Sequence, residues 1–152
     1  MKPHTSDASL SRLQLFAELS ASELQAIVEH SSTGTFPAGT KIIAEGEEGH
    51  CMYVLLDGHA RVLAADHELA RLATGDFFGE ISLVDDGPRS ADVVAETDCR
   101  VLTITRMTLG VLAGIQPDAA IHLLAAIGKS LVSKLRADNE RFRELILLEC
   151  RK

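Results

Sequence analysis

A glycine, a carboxylate and an arginine stand close together in the middle of this chain. The stretch GDFFGEISLVDDGPRSADV contains Gly79-Glu80 and, nine residues after the glutamate, Arg89-Ser90-Ala91. An ionised Glu80 would accept a hydrogen bond from a sugar hydroxyl, and the planar Arg89 guanidinium suits two phosphate oxygens. Ser90 would donate a further bond to the phosphate or to a base, and Gly79 lets backbone N–H groups come close to an anion. These groups together would hold a sugar hydroxyl and a phosphate.

The short apolar segment after the glutamate adds backbone donors. If residues 80–83 form a helical turn, the first N–H groups of the turn have no intrahelical partner and point at an anion. A simpler interpretation is a surface loop in which Glu80 and Arg89 are solvated. The order Gly-Asp-Phe-Phe-Gly-Glu followed by Pro-Arg-Ser-Ala is more specific than a lone glycine motif, and it favours the anion site.

The composition limits the kinds of protein that this chain can be. With 152 residues and 46% hydrophobic content, a single domain over residues 1–152 with a sizeable core is expected. The net charge of −7 argues against a surface for nucleic acid or for an anionic membrane, since both need clustered basic residues. There is no run of about 18 apolar residues, so no membrane span is expected.

The N-terminus and the cysteines indicate a cytoplasmic protein. The opening MKPHTSDASLSRLQLF lacks the continuous apolar core of a signal peptide. The three cysteines, Cys51, Cys99 and Cys150, are an odd number without CxxC spacing, which argues against a disulfide framework or a structural zinc site. We expect them to be small reduced side chains.

The hydrophobic periodicity divides the chain into three regions. Residues 10–34 form a helical lead, in which Ser20 and Glu23 have the capping-box spacing of a helix over about 21–31. Residues 35–105 contain short apolar runs of strand length separated by turn signals. Among these signals, the Asp-Gly pair at 57–58 is typical of a hairpin. The sequence therefore predicts an α+β fold, an antiparallel β-barrel flanked by N-terminal helices and a long C-terminal helix.

The third region, residues 106–150, returns to helical spacing. A short helix is expected before Pro117, which suits the first position of the long helix that follows. The first half of the long helix is expected to pack on the barrel. The second half is longer than a small barrel can cover, and its apolar side chains favour a parallel homodimer, although Asp138 in the seam weakens it. Two heptad rows form this seam, Gly128, Leu135 and Phe142 in one and Leu131, Asp138 and Leu145 in the other.

The order of these elements and motifs resembles the cyclic nucleotide-binding domain family. Bacterial catabolite-activator-type regulators, cyclic-nucleotide-gated channels and regulatory subunits of cAMP-dependent kinase share this module. The stretch with Gly79, Glu80 and Arg89 resembles the family's phosphate-binding cassette. The segment FPAGT at 36–40 resembles the entry to its first strand, and EG at 45–46 followed by MYVLLDG resembles its second hairpin. The resemblance covers nearly the whole chain and implies a jelly roll, or double-stranded β-helix.

The resemblance also implies the ligand and the residues that contact it. The ligand would be cAMP or cGMP, and the protein would be a sensor that signals to another protein through its C-terminal helix. The gene-regulating relatives carry a helix-turn-helix domain after the long helix. This sequence stops at Lys152, so a stand-alone module without a nucleic-acid partner is expected. The implied ligand-binding residues are Val62, Leu72, Phe78, Gly79, Glu80, Ile81, Ser82, Arg89, Ser90 and Ala91.

Two other functions fit parts of the sequence. The first is a structural or dimerisation module of the same fold that binds no nucleotide, but the presence of both Glu80 and Arg89 argues against it. The second is a small metal-dependent β-barrel enzyme, which would need histidine ligands. The six histidines include no His-x-His pair, although His50 and His59 flank the predicted hairpin and could approach each other.

Cofactor and nucleophile chemistry have little support in the sequence. Some relatives bind haem through His or Cys, so His67, Cys51 or Cys99 could serve as an axial ligand, but no pattern singles one out. No histidine is placed by sequence to activate Ser82 or Ser90 as a nucleophile. We therefore expect binding without turnover, with no metal and no cofactor.

Overall fold

The computed structural model describes residue 10 and residues 13–151. Within these residues, eight strands lie between helical segments at both ends. The strands are β1 Ser32–Phe36, β2 Lys41–Ile43, β3 Cys51–Asp57, β4 Ala60–Ala64, β5 His67–Leu72, β6 Phe77–Phe78, β7 Asp92–Ala95 and β8 Cys99–Thr105. The helices are a 3-10 turn Gln14–Phe16, α1 Ala21–Glu29, α2 Ile81–Val84, α3 Arg106–Ile115 and α4 Pro117–Glu149.

The strands form two four-stranded antiparallel sheets. Their orders are β1-β8-β3-β6 and β2-β7-β4-β5. The predicted α+β fold, with antiparallel strands and a long C-terminal helix, is confirmed. Pro117 occupies the first turn of α4, as the sequence predicts, because a residue without an N–H loses no hydrogen bond at that position.

The Asp-Gly pair at 57–58 does not close a hairpin, so this prediction was wrong. Strands β3 and β4 lie in different sheets, and the turn carries the chain from one sheet to the other. The glycine is required here because Gly58 has a φ of +108°. A local sequence signal specifies a tight turn but not the sheet that the next strand joins. A two-residue hairpin turn lies instead at Ala65-Asp66, between β4 and β5, where both residues have positive φ.

The N-terminal region is less helical than the sequence predicts. Strand β1 begins at Ser32, inside the helical lead placed at 10–34, because its residues pair with β8. Before α1 only a 3-10 turn is present among residues 13–20, and positions 11 and 12 lie outside the described residues. The predicted N-cap is confirmed, since the Ser20 hydroxyl accepts a hydrogen bond of 3.1 Å from the Glu23 N–H.

Two apolar clusters fill the interior. The first lies between the helices and the sheet that contains β3 and β8, and it includes Phe16, Ile27, Met52, Leu112 and Leu123. The second lies between the two sheets and includes Leu55, Phe78, Val93, Val101 and Ile43. Because side chains alternate along a strand, β8 contributes to both clusters and fixes the helical layer against the sheets.

The first half of α4 is held against the N-terminal segments. Its buried side chains, among them Leu123 and Ile127, belong to the first cluster. The Lys129 ammonium lies 2.8 Å from Glu18 Oε1, and His122 Nδ1 lies 2.7 Å from Glu23 Oε2. That hydrogen bond raises the pKa of the His122 imidazole and lowers the pKa of the Glu23 carboxyl.

The second half of α4 has a different environment, since residues 132–149 are all exposed. Among the described residues, no helix has both the length and the apolar character needed to cross a membrane.

Candidate ligand-binding site

The Arg89 guanidinium lies at the centre of the site, enclosed by neutral oxygen acceptors. Its Nη1 donates hydrogen bonds to Gly79 O at 3.1 Å and to Ser82 Oγ at 2.8 Å, and its Nη2 donates to Cys51 O at 2.9 Å. The Arg89 backbone N–H donates to Glu47 O at 2.8 Å, so both the main chain and the side chain of this arginine are fixed.

The charge of this guanidinium is not neutralised by the protein. In the part of the chain that the structure describes, Arg89 takes part in no ion pair, whereas Arg71 and Arg106 both pair with carboxylates. A half-buried cation whose hydrogen bonds go to neutral groups attracts an anion strongly, since screening by water is reduced there.

Gly79 lies directly beneath the guanidinium and has no room for a side chain. Its φ is +76°, and a Cβ at this position would lie 2.7 Å from Arg89 Nη1. The sequence predicts that Gly79 lets backbone N–H groups approach an anion, which stays a prediction; the structure places Gly79 in contact with the Arg89 side chain.

Gly49 is a second glycine of the site, which the sequence analysis missed. It is buried, and a Cβ there would lie 2.3 Å from Arg89 Nε and 2.4 Å from Ser82 Oγ. The guanidinium therefore lies over the bare backbone of Gly49. In the sequence this glycine follows two glutamates in a turn, where nothing distinguishes it from an ordinary loop glycine.

Glu80 is buried and paired with the C-terminal helix. The residue is 5% exposed, and Lys134 Nζ lies 2.9 Å from Glu80 Oε1. The same ammonium lies 5.7 Å from the centre of the Phe77 ring, a cation–π distance. Lys134 is therefore a residue of this site that the sequence analysis missed. The hydrophobic periodicity of the long helix indicates only that position 134 is polar.

The cassette helix α2 confirms the helical turn expected at residues 80–83. The N–H groups of Ser82 and Leu83 donate within the turn, to Gly79 O at 3.2 Å and to Glu80 O at 3.1 Å. The backbone donors left for an anion are those of Glu80 and Ile81. The Ile81 side chain is 49% exposed, so its side chain is not part of the enclosed site.

An apolar wall adjoins the charged groups. Phe78 stacks on Tyr53 with ring centroids 5.3 Å apart, and half-buried Val62 and Leu72 pack against the same cluster. Burial, with a smaller contribution from the Cys51 thiol, raises the pKa of Tyr53 to about 12, so its phenol stays neutral. Such a surface can receive a flat aromatic base.

The remaining predicted residues lie at the edge of the site. Ser90 is exposed and Ala91 is half-buried, where the cassette leads into β7. His50 and His59 stand at opposite ends of β3, so the expectation that they could approach each other was wrong. Within the described residues, no three His, Cys, Asp or Glu side chains come together as a potential metal site.

The sequence of this chain matches a known family over more than half its length. The family described as the cyclic nucleotide-binding domain matches residues 33–114, which include the cassette and both sheets up to α3. The protein therefore belongs to the cyclic nucleotide-binding domain family, and the predicted resemblance is confirmed.

Individual relatives have regulatory names. The chain is 38% identical over 102 residues to a cAMP-dependent protein kinase regulatory subunit of Aspergillus fumigatus, a match over 66% of this chain and 25% of that protein. It is 26% identical over 148 residues to a CRP-like cAMP-activated global transcriptional regulator of Mycobacterium tuberculosis, covering 94% of this chain and 64% of the regulator. The chain thus spans about a quarter of the length of the kinase subunits that it matches.

Solved structures confirm the jelly-roll fold. The N-terminal domain of a Streptomyces coelicolor transcriptional regulator superposes with a TM-score of 0.73 and 28% identity, over 84% of this chain and 93% of that domain. The likeness extends to the mixed architecture of helices and antiparallel sheets described above.

Proposed function

We propose that this protein is a regulatory sensor that binds a cyclic nucleotide, with the phosphate on Arg89 and the ribose 2′-hydroxyl on Glu80. The observation that carries the proposal is the half-buried Arg89 guanidinium, whose hydrogen-bond partners are all neutral. A cyclic phosphate brings one negative charge and two exocyclic oxygens, which match a planar fork of N–H donors. Because Gly49 and Gly79 have no side chain, the Arg89 guanidinium has room to lie against their backbone.

Glu80 supplies the second anchor. A buried carboxylate needs hydrogen bonds and a counterion, and Lys134 provides both to Oε1. The other oxygen can accept a hydrogen bond from a hydroxyl. Because Lys134 belongs to α4, a ligand that contacts Glu80 also acts on the position of α4. This supports the view that the long helix serves as a lid over the base.

The preferred ligand is cAMP, with cGMP binding detectably. The names of the kinase subunits and of the mycobacterial regulator both refer to cAMP, which supports this choice. The base would lie on the apolar wall near Val62 and Leu72. Ser90 offers a hydroxyl at the rim that can bond to the phosphate or to the guanine 2-amino group.

A homodimer through α4 is part of the proposal. The helix has two apolar faces, and the face with Leu123 and Ile127 is buried against its own domain. The other face is largely exposed, most fully in the second half of the helix, where Phe142 is 66% exposed. A second copy of α4, parallel to the first, would cover it. This face consists of Ile121, Leu124, Gly128, Leu131, Leu135, Asp138, Phe142 and Leu145, of which Gly128 and Leu131 are half-buried.

The sensor would work in the cytoplasm and without turnover. The three cysteines are free, as expected in a reducing compartment. The buried Ser82 hydroxyl accepts a hydrogen bond from Arg89, and we assign it to positioning that arginine and not to nucleophilic chemistry. The output would pass to a protein outside this chain.

Calorimetric titration of nucleotide-stripped protein with cAMP and cGMP tests the proposal. We expect one site per chain, a weaker response to cGMP, and a loss of roughly 2–4 kcal/mol of binding free energy in Arg89→Ala. Arg71→Ala is the matched control, since Arg71 is a surface arginine that pairs with Glu68 and Glu96. The absence of binding by wild-type protein at millimolar nucleotide, or an Arg89→Ala variant with unchanged affinity, would overturn the proposal.

A further inference from the structure

A groove separate from the nucleotide site lies between the 3-10 turn Gln14–Phe16, strand β6 and helix α4. Its volume is about 410 Å³, within the range of pockets that hold small organic ligands. Phe77 lines the groove and packs against the first apolar cluster, whereas Phe78 belongs to the second cluster, beside the nucleotide site. Because successive side chains of a strand point to opposite faces, the two sites lie on opposite sides of β6.

The floor of the groove is apolar. Leu15 is 2% exposed, and the half-buried Phe77 and Ala126 line the groove with it. All three residues belong to the first apolar cluster or pack against it, so the core of the domain holds the floor in place. Such a floor favours contact with the apolar body of a ligand over contact with water.

The rim of the groove has two ammonium groups that differ in their availability. Lys134 Nζ lies 2.9 Å from the buried Glu80 carboxylate, so its charge is already compensated. Lys129 Nζ lies 2.8 Å from Glu18 Oε1, but these two side chains are 66% and 63% exposed. An exposed ion pair contributes little to stability, since water and salt screen it. The anionic group of a ligand can therefore replace Glu18 at Lys129.

Neutral donors on the same rim add to the recognition of an anion. Ser130 and Ser133 line the groove from neighbouring turns of α4, and Gln14 lines it from the 3-10 turn. Hydroxyl and amide groups donate hydrogen bonds to carboxylate oxygens. One available ammonium with several neutral donors suits a single negative charge, because a second charge on the ligand would meet Glu18 without a counterion of its own.

We propose that this groove binds a small organic acid, which has an apolar body and one carboxylate. The apolar body lies on the floor, against Leu15, Phe77 and Ala126. The carboxylate binds Lys129 in place of Glu18. The inference does not depend on the proposed function, because neither of the two anchors assigned to the cyclic nucleotide lines the groove.

Titration of the full chain with naphthoate tests the site, followed by the fluorescence of the naphthalene ring, since the chain has no Trp. We expect one naphthoate per chain, and naphthylmethanol, its neutral analogue, should bind about tenfold more weakly because it lacks the charge. Lys129→Met should weaken naphthoate binding by about fivefold and leave binding of the alcohol unchanged. Glu18→Gln should strengthen naphthoate binding by about threefold, because it removes the competing carboxylate.

Variants that fill the groove locate the binding of the two compounds. Ala126→Phe adds a ring at the floor and should abolish binding of both naphthoate and the alcohol. Ala125→Phe is the matched control, because the neighbouring alanine is exposed and does not line the groove. Arg89→Ala should bind naphthoate as wild type does, which separates the groove from the nucleotide site. Circular dichroism and the melting temperature show whether each variant is folded.

Three results would contradict the inference. They are the absence of naphthoate binding by wild type at millimolar concentration, equal affinities of Ala126→Phe and Ala125→Phe, or loss of binding in Arg89→Ala. If Ala126→Phe does not fold, the exposed pair decides, and unchanged naphthoate affinity in both Lys129→Met and Glu18→Gln rules out the carboxylate contact. None of these measurements uses cAMP, so a failure of the proposed function leaves the test intact.

Discussion

Lys134 Nζ lies 2.9 Å from Glu80 Oε1 and joins the long C-terminal helix to the buried carboxylate of the cassette across 54 residues of sequence. Removing the lysine would leave the Glu80 charge buried and uncompensated, whereas the Lys134 side chain is itself exposed. The pair therefore links the state of Glu80, the proposed receptor of the ribose hydroxyl, to the place where α4 crosses the site.

We predict that Lys134→Met weakens cAMP binding by about five- to tenfold, because Glu80 loses its counterion and the phosphate loses a nearby positive charge. Glu80→Gln should weaken binding by roughly 1–2 kcal/mol, since the amide oxygen still accepts from the hydroxyl. Combined, the two changes should cost less than their sum. Titrations of the four proteins measure this coupling, and Lys129→Met, which breaks a surface pair with Glu18, is the control. Strictly additive losses would show that the ion pair does not contribute to binding.

Gly49→Ala should displace the Arg89 guanidinium while leaving the fold intact. The added Cβ would lie 2.3 Å from Arg89 Nε, and the end of a long side chain can move aside where a backbone cannot. We expect cAMP affinity to fall by more than about tenfold with little change in melting temperature. Gly34→Ala is the control, because a Cβ there meets nothing within 4 Å. Equal affinities for the two variants would contradict the packing described at Gly49.

The His122–Glu23 pair should make stability depend on pH in a defined window. The pKa of His122 is raised above its ordinary 6.5, so its contribution is complete below that value and is lost as pH rises through the raised pKa. The pKa of Glu23 is lowered below 4.5, so its contribution is present above that value and is lost as pH falls.

His122→Gln should therefore destabilise the protein most between these two values, and the difference from wild type should shrink as pH rises above 6.5 and through the raised pKa of His122. Thermal unfolding over this range measures it. His67→Gln, which alters an exposed histidine in β5, should follow the wild-type profile. If the difference in melting temperature between wild type and His122→Gln stays constant with pH, a titrating pair is ruled out.

Substitutions on the exposed face of α4 should separate dimerisation from folding. Leu135 and Phe142 are exposed within one domain, so Leu135→Glu and Phe142→Glu should lower the mass in solution without reducing helix content. Leu147→Glu changes an equally exposed leucine off the heptad rows and should leave the mass unchanged. Light scattering at high concentration measures the mass, and a monomeric wild type would remove the homodimer from the proposed function.

Ser90→Ala tests how the site chooses between nucleotides. If the Ser90 hydroxyl bonds to the guanine 2-amino group, its loss should cost cGMP more than cAMP by about 1 kcal/mol, the net worth of one hydrogen bond. Competition titrations against wild type measure both losses. Equal losses would assign Ser90 to the phosphate alone.

The local part of the site was predictable from the sequence, and the distant part was not. The turn after Glu80 and the closeness of Gly79 to Arg89 follow from residues within one short stretch. Cys51 and Lys134 join the site only through contacts made across 38 and 54 residues, which no local periodicity encodes. Their side chains have no distinctive spacing along the chain.

The same distinction explains the errors in the fold. The residues of β1, STGTF, lack the alternation of apolar and polar side chains, since most of the strand is exposed and its pairing with β8 defines it. The turn at Asp57-Gly58 was recognised, but the choice of sheet for β4 depends on its partners β5 and β7. In both cases tertiary pairing decides what local sequence leaves open.

The length of α4 makes it a lever. The helix has 33 residues, and the portion from Lys134 to Glu149 extends about 22 Å beyond the contact with Glu80. A tilt of about 10° at that contact would carry the far end about 4 Å sideways. Because residues 135–149 are exposed, the displacement is largest where another protein can bind. A small rearrangement at the Glu80 carboxylate thus produces a displacement of several ångströms at the C-terminal end of α4.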